Sequence, residues 1–182
     1  MTTTYFGPNG ASQVTLWLVI KGGYSAGFIF AMTAWAGVIG TAVYLLNAFI
    51  GDRLERKWTQ LIGAVAFAVG YFLMYKQVHS SVAVYIGYSL TIVGVTLWLW
   101  SMYVYIPQNY PTRMRALGTG WTDGIGHLGA WGGVLIAGAL FSVTAPNSFF
   151  IFVTIPCALL PGVLIAIFGK NQRNRALEEL AQ

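Results

Sequence analysis

Asp123 and His127 are the residues of this chain best suited to proton chemistry. They stand four positions apart, which puts both on one face of a helix. Imidazole titrates near neutral pH and a carboxylate beside it raises its proton affinity, so the pair could relay a proton. The same spacing equally serves a structural Asp–His bond that neutralises both groups where helices pack. The surrounding run, Leu117 to Val143, is otherwise apolar. An aspartate at the centre of a lipid-spanning helix costs about 2.5–3.5 kcal/mol on insertion scales, so it faces a cavity or a partner. From Leu117, Asp123 is about 9 Å and His127 about 15 Å along such a helix, the latter close to a bilayer midplane.

Two basic stretches are the next candidates. Gly51 to Lys57, GDRLERK, packs three basic and two acidic residues into seven positions. It reads either as a membrane-surface anchor whose ions compensate one another or as a gate. Ile106 to Trp121, IPQNYPTRMRALGTGW, carries Pro107 and Pro111, which stop a preceding helix, and Arg113 and Arg115 near the membrane surface. Beyond it Gly118, Gly120, Gly124, Gly126, Gly129, Gly132 and Gly133 crowd one helix. Small residues three and four apart let another helix approach closely, so tight packing accounts for most of them.

Other chemistries lack their residues. His79 and His127 are far apart and Cys157 is the single cysteine, so neither a metal cluster nor an internal disulfide is expected. The phosphate-cradling pattern GxxxxGK[ST] does not occur, and no serine or cysteine nucleophile stands beside Asp123 and His127. The expectation is therefore a non-enzymatic protein without a cofactor.

The elements that hold these residues follow from composition. Of 182 residues, 57% are apolar and 8% charged, where a soluble domain carries roughly 25% charged residues. The net charge of +5 is scattered between long apolar runs, which argues against a nucleic-acid partner. A helix crossing about 30 Å of hydrocarbon needs about 20 apolar residues. Five stretches qualify: Ala26 to Ile50, Trp58 to Tyr75, Val82 to Ile106, Leu117 to Val143 and Ser148 to Gly169. A sixth, Tyr5 to Ile20, is broken by Gly7, Pro8, Asn9, Gly10, Ser12 and Gln13. It is half a span or a broken helix, and not a signal peptide, because its first basic residue, Lys21, follows the apolar run. The expected fold is an all-α membrane protein: a six-helix half-bundle, with five full spans and a short or truncated first helix.

Eight Lys and Arg residues, Arg53, Arg56, Lys57, Arg113, Arg115, Lys170, Arg173 and Arg175, fall on one face, against Lys21 and Lys76 on the other. The richer face is expected to be cytoplasmic. The bundle then runs to residue 169, and residues 170–182 form a cytoplasmic tail of a plasma (inner) membrane protein.

Together the two basic stretches resemble the major facilitator superfamily, in its sugar-porter-like and metabolite:proton symporter branches. Asp52, Arg53, Arg56 and Lys57 match a D-R-x-G-R-K-like loop after the eighth span, with Glu55 in place of its glycine. Pro107, Tyr110, Pro111, Thr112, Arg115, Ala116, Gly118 and Gly120 match a P-E-x-Y-P-T-x-x-R-A-x-G-x-G-like entry to the eleventh, with Gln108 where the family has an acid. The resemblance covers essentially the whole chain.

It implies the C-terminal half of a twelve-span secondary transporter, beginning partway along the seventh helix. Such a carrier moves a small organic solute, a sugar or an organic or aromatic acid, with or without a proton, by rocking one bundle against the other. The implied partners are the solute, the lipid bilayer, and an N-terminal six-helix half or another copy of this chain. By the same resemblance Asp52 holds the cytoplasmic side closed with Arg53, Arg56 and Arg115 as exchangeable partners, Lys57 and Arg113 lying in the same gating loops. Asn9 and Gln13, in the segment resembling the seventh helix, and Trp121 are the candidates for the cavity. At Asp123 the family pattern is usually neutral and at His127 often Arg, so the proton candidates rest on this sequence alone. The competing reading is a non-transporting membrane module that uses the bundle for interaction or regulation.

Overall fold

A computed structural model describes residues 14–51, 53–143, 150–169 and 171. Asn9, Gln13 and Asp52, and the expected tail apart from Asn171, lie outside the described residues. Among those described, the chain is helical with no strand: α1 (Val14–Gly22), α2 (Ala26–Ile50), α3 (Arg56–Lys76), α4 (Ser81–Tyr105), α5 (Arg115–Val143) and α6 (Ile155–Phe168). Two 3-10 turns, Pro107–Asn109 and Thr112–Met114, precede α5, and a π turn, Phe150–Thr154, precedes α6.

Local chemistry sets the boundaries. Gly23 takes φ +69°, which reverses the chain after α1 at a geometry that suits glycine. Ser25 caps α2 by accepting a bond from the Phe28 N–H at 3.3 Å, and Ser80 caps α4 by accepting from Ala83 N–H at 3.4 Å. Pro161 lies inside α6 and cannot donate to the carbonyl of Cys157 one turn earlier. Three stretches, Ala26–Phe49, Arg56–Lys76 and Ser81–Asn109, are long and apolar enough to cross a membrane. α5, at 29 residues, is long enough to cross a membrane. α6 has 14 residues, and with the π turn it forms a shorter apolar segment, Phe152–Phe168.

The centre of the bundle is the α3–α4 hairpin, held by two reciprocal glycine pairs. A Cβ on Gly94 would stand 2.5 Å from the Gly63 carbonyl oxygen, and one on Gly63 would stand 2.7 Å from that of Gly94. One turn-pair further along, a Cβ on Gly70 would meet the Gly87 oxygen at 2.5 Å and one on Gly87 the Gly70 oxygen at 2.8 Å. The seven-residue step in both helices keeps a single seam facing the partner. Lipid is as apolar as leucine, so close backbone contact and dispersion, not water exclusion, hold such helices together.

Neighbours attach by the same device. Gly40 of α2 sits against Ile92 and Thr96 of α4, where a Cβ would approach to 3.1 and 3.6 Å. Gly162 of α6 sits on Ala64 of α3. α1 adds Trp17 and Leu18, both fully buried, to a cluster containing Phe67, Tyr71, Met74 and Val84.

The glycines of α5 divide into two sets. Gly126, Gly129 and Gly133 are buried, as is Ala137, in accord with close packing. Gly120, Gly124, Gly132 and Gly138 have nothing within 4 Å of a Cβ among the described residues. Gly118 lies under the Tyr110 ring, so four of the seven glycines singled out in sequence, Gly118, Gly126, Gly129 and Gly133, are packed, and Gly120, Gly124 and Gly132 are not. Sequence spacing marks where a helix can approach, but not whether one does.

Candidate functional site

The Ile106–Trp121 stretch folds into a clamp at the start of α5. Asn109 donates from Nδ2 to the Tyr105 carbonyl at 2.7 Å, which closes the end of α4. Arg115 donates from Nε to the Pro107 carbonyl at 3.1 Å, so this expected gating residue ties down its own loop. Its Nη2 is buried and lacks a hydrogen-bond partner among the described residues. The Tyr110 ring rests on Gly118, where a Cβ would come within 2.5 Å of it. Thr122 Oγ1 donates to the Gly118 carbonyl at 2.7 Å, so the 2.6 Å contact between Tyr110 and Thr122 has the tyrosine as donor. Thr122 went unnoticed in sequence; its position four residues after Gly118 is the signal that could have found it.

Tyr110→Phe removes that one bond and leaves Thr122 paired with Gly118. The expected cost is about 0.5–1.5 kcal/mol, or roughly 1–6 °C in the thermal unfolding of a chain this size. A midpoint lowered by less than about 1 °C would show the hydroxyl idle.

The other gating candidates gather at the same end of the bundle, between α2 and α3 and ahead of α5. Arg53 is exposed in the turn after α2, Arg56 opens α3 half-buried, and Arg113 is exposed in the Thr112–Met114 turn. Lys57 stands over the Trp58 ring, 5.5 Å from its centroid. Asp52, which the resemblance makes their partner, is outside the described residues.

Asp123 and His127 meet as their spacing predicts. His127 Nδ1 lies 3.6 Å from Asp123 Oδ2 and 2.9 Å from the Asp123 backbone oxygen. A carbonyl only accepts, so a neutral His127 making that bond carries its proton on Nδ1 and takes up the next one on Nε2. The pair is not sealed inside the protein: the His127 side chain is 58% exposed and that of Asp123 33%. α5 begins at Arg115, two residues before the expected start, which moves both residues about 3 Å further along the helix.

Trp121 is not brought to that pair. At about 100° per residue it points roughly opposite Asp123 and His127 on α5. It is 66% exposed and lines an open groove of about 450 Å³ with Ala116, Leu117, Gly120, Gly124, Ile125 and Leu128. The same helix thus presents a titratable flank, a buried stripe of small residues, and an open groove floored by glycine. Among the described residues no group of three or more His, Cys, Asp or Glu side chains converges as a metal site would require.

Comparison with known proteins gives the setting for this arrangement. The chain is 27% identical over 167 residues to the niacin transporter NiaP of Acinetobacter baylyi, covering 90% of this chain and 37% of that protein. It is 27% identical over 170 residues to the benzoate transport protein of the same organism, covering 86% and 33%. It is 27% identical over 137 residues to the synaptic vesicle 2-related protein of Rattus norvegicus, covering 74% and 24%. The chain spans between about a quarter and two fifths of the length of these relatives. No protein-family model matches it, and no solved structure matches significantly. The first two relatives are named as transporters and not as enzymes, and with the apolar helices they support an integral membrane protein that is not an enzyme.

Proposed function

We propose that this chain is one six-helix half of a major facilitator-type secondary transporter that moves small organic acids, single-ring aromatic carboxylates among them. The observation that carries the reading is its similarity, over 86–90% of its length, to proteins named for niacin and benzoate transport. Both of those solutes are single-ring carboxylates, which favours the organic-acid over the sugar side of the expectation. The reading places the chain in the plasma membrane, and the distribution of Lys and Arg supports basic loops and a C-terminus in the cytoplasm.

Alternating access needs a second bundle, supplied by an N-terminal half, and the open groove of α5 is where it packs. Asp52 latches the cytoplasmic side through Arg53, Arg56 or Arg115. In a complete carrier Asp52→Asn lowers transport, by roughly tenfold if one charge-assisted bond of about 1.5 kcal/mol is lost, while membrane insertion is retained. Unchanged transport would remove Asp52 from the gate.

Proton coupling is assigned to Asp123 and His127. The test is uptake of labelled nicotinate and benzoate into proteoliposomes holding the complete carrier, with and without an inward proton gradient. The gradient is expected to stimulate the native protein severalfold and to have no effect on Asp123→Asn. Equal stimulation of both would return the pair to a structural role.

A further inference from the structure

The connection between α2 and α3 is pinned at both ends, where two apolar helices stop. Gly51 rests on the Trp100 ring of α4 and donates its N–H to the Asn47 carbonyl at 2.8 Å. On the other side the Glu55 carbonyl accepts from the N–H groups of Trp58 and Thr59, at 3.0 and 3.2 Å. The side chains that project from this frame are of two kinds. Phe49, Leu54 and Trp58 are exposed and apolar. Among them Arg53 is exposed and makes no hydrogen bond or ion pair with the described residues, and Lys57 holds its ammonium 5.5 Å above the Trp58 ring. Glu55 and Arg56 already have partners. Asp52 is the competing anion of the stretch, and it neutralises one cation at a time.

A ligand that fits the whole surface carries a negative charge next to apolar bulk. Free phosphate would meet only the cations, and hydrocarbon only the three apolar side chains. Tryptophan, half apolar and half polar, settles at the headgroup level of a bilayer, which puts Lys57 and Arg53 there as well. We propose that the α2–α3 connection is a binding site for an anionic phospholipid, with its phosphodiester met by Arg53 and Lys57 and its acyl chains against Phe49 at the end of α2. A zwitterionic lipid has the same phosphate but brings its own cation, so it gains less from the two basic residues. The opposite end of α3 supplies a comparison. Lys76 stands in the same way over the Phe72 ring, at 5.6 Å, about 28 Å along the helix from Lys57 and with no arginine beside it. The site is independent of the transport reading, since it is measured by lipid binding to this chain.

The test is native mass spectrometry of the full chain in detergent, titrated with phosphatidylglycerol or with phosphatidylcholine of the same acyl chains. Phosphatidylglycerol is expected to bind at least about fivefold more tightly, the share of one basic residue at a membrane surface. That comparison needs no variant to fold. Arg53→Gln combined with Lys57→Gln should erase the preference, and Lys76→Gln should keep it. Inorganic phosphate in excess should not displace the lipid, because it lacks the apolar part. Equal affinity for the two lipids, a preference that survives the double substitution, or one that Lys76→Gln also erases would overturn the assignment. Displacement by inorganic phosphate would overturn it too and leave a simple anion site.

Discussion

Gly94→Leu is expected to prevent this chain from folding into a single monodisperse species. The new Cβ would lie 2.5 Å from both the Gly63 carbonyl oxygen and the Phe67 backbone nitrogen, and backbone cannot swing aside as a side chain does. The hairpin must open, which places the cost at or above the upper end of the roughly 1–3 kcal/mol typical of overpacking. Better helix propensity of leucine over glycine returns less than about 1 kcal/mol. Gly63→Leu should act alike, since the pair is reciprocal. Size-exclusion profiles and thermal unfolding in detergent read the outcome directly. Native-like profiles for both variants would show that the glycine seam does not hold the bundle.

Gly124→Leu should give the opposite pattern, with folding retained and transport lost. Nothing lies within 4 Å of a Cβ at this position, and a helix gains from losing an interior glycine. The chain alone is therefore expected to melt at the same temperature as the native protein or slightly higher. Leucine would fill the groove between Trp121 and Leu128 where the second bundle is proposed to pack. Uptake by the assembled carrier should fall at least tenfold, and recovery of the two halves as one complex should fall with it. Native uptake by Gly124→Leu would place the partner elsewhere on the chain.

The contrast between these two glycines marks the limit of what sequence alone conveys. Long apolar runs broken by charge or by Ser and Gly define helices closely: Ala26 to Ile50 is the observed α2, and Val82 to Ile106 differs from α4 by one residue at each end. Charged ends are less legible, because Arg56 and Lys76 join α3 once the hairpin extends the helix into the interface. The π turn before α6 leaves no mark in the run Phe150–Thr154, whose residues suit an α-helix equally well. The seven-residue steps Gly63 to Gly70 and Gly87 to Gly94 were present in the sequence. They were outnumbered by the denser glycines of α5, and spacing does not reveal which surfaces meet.

The site was legible to the extent that it is local. Asp123 and His127 contact through a single helical turn, and Pro107, Tyr110 and Gly118 form one folded unit. Whether Trp121 joins them depends on helix phase, which six positions from Trp121 to His127 set against it.

The central claim is that this bundle transports only when a second bundle completes it. The direct measurement is uptake of labelled nicotinate and benzoate into proteoliposomes containing the chain alone, an N-terminal six-helix half alone, and the two together. Uptake is predicted only for the pair, and predicted to be lost again when Gly124→Leu closes the α5 groove. A well-inserted, complexed pair that takes up neither acid would contradict the account and favour a membrane module that does not transport.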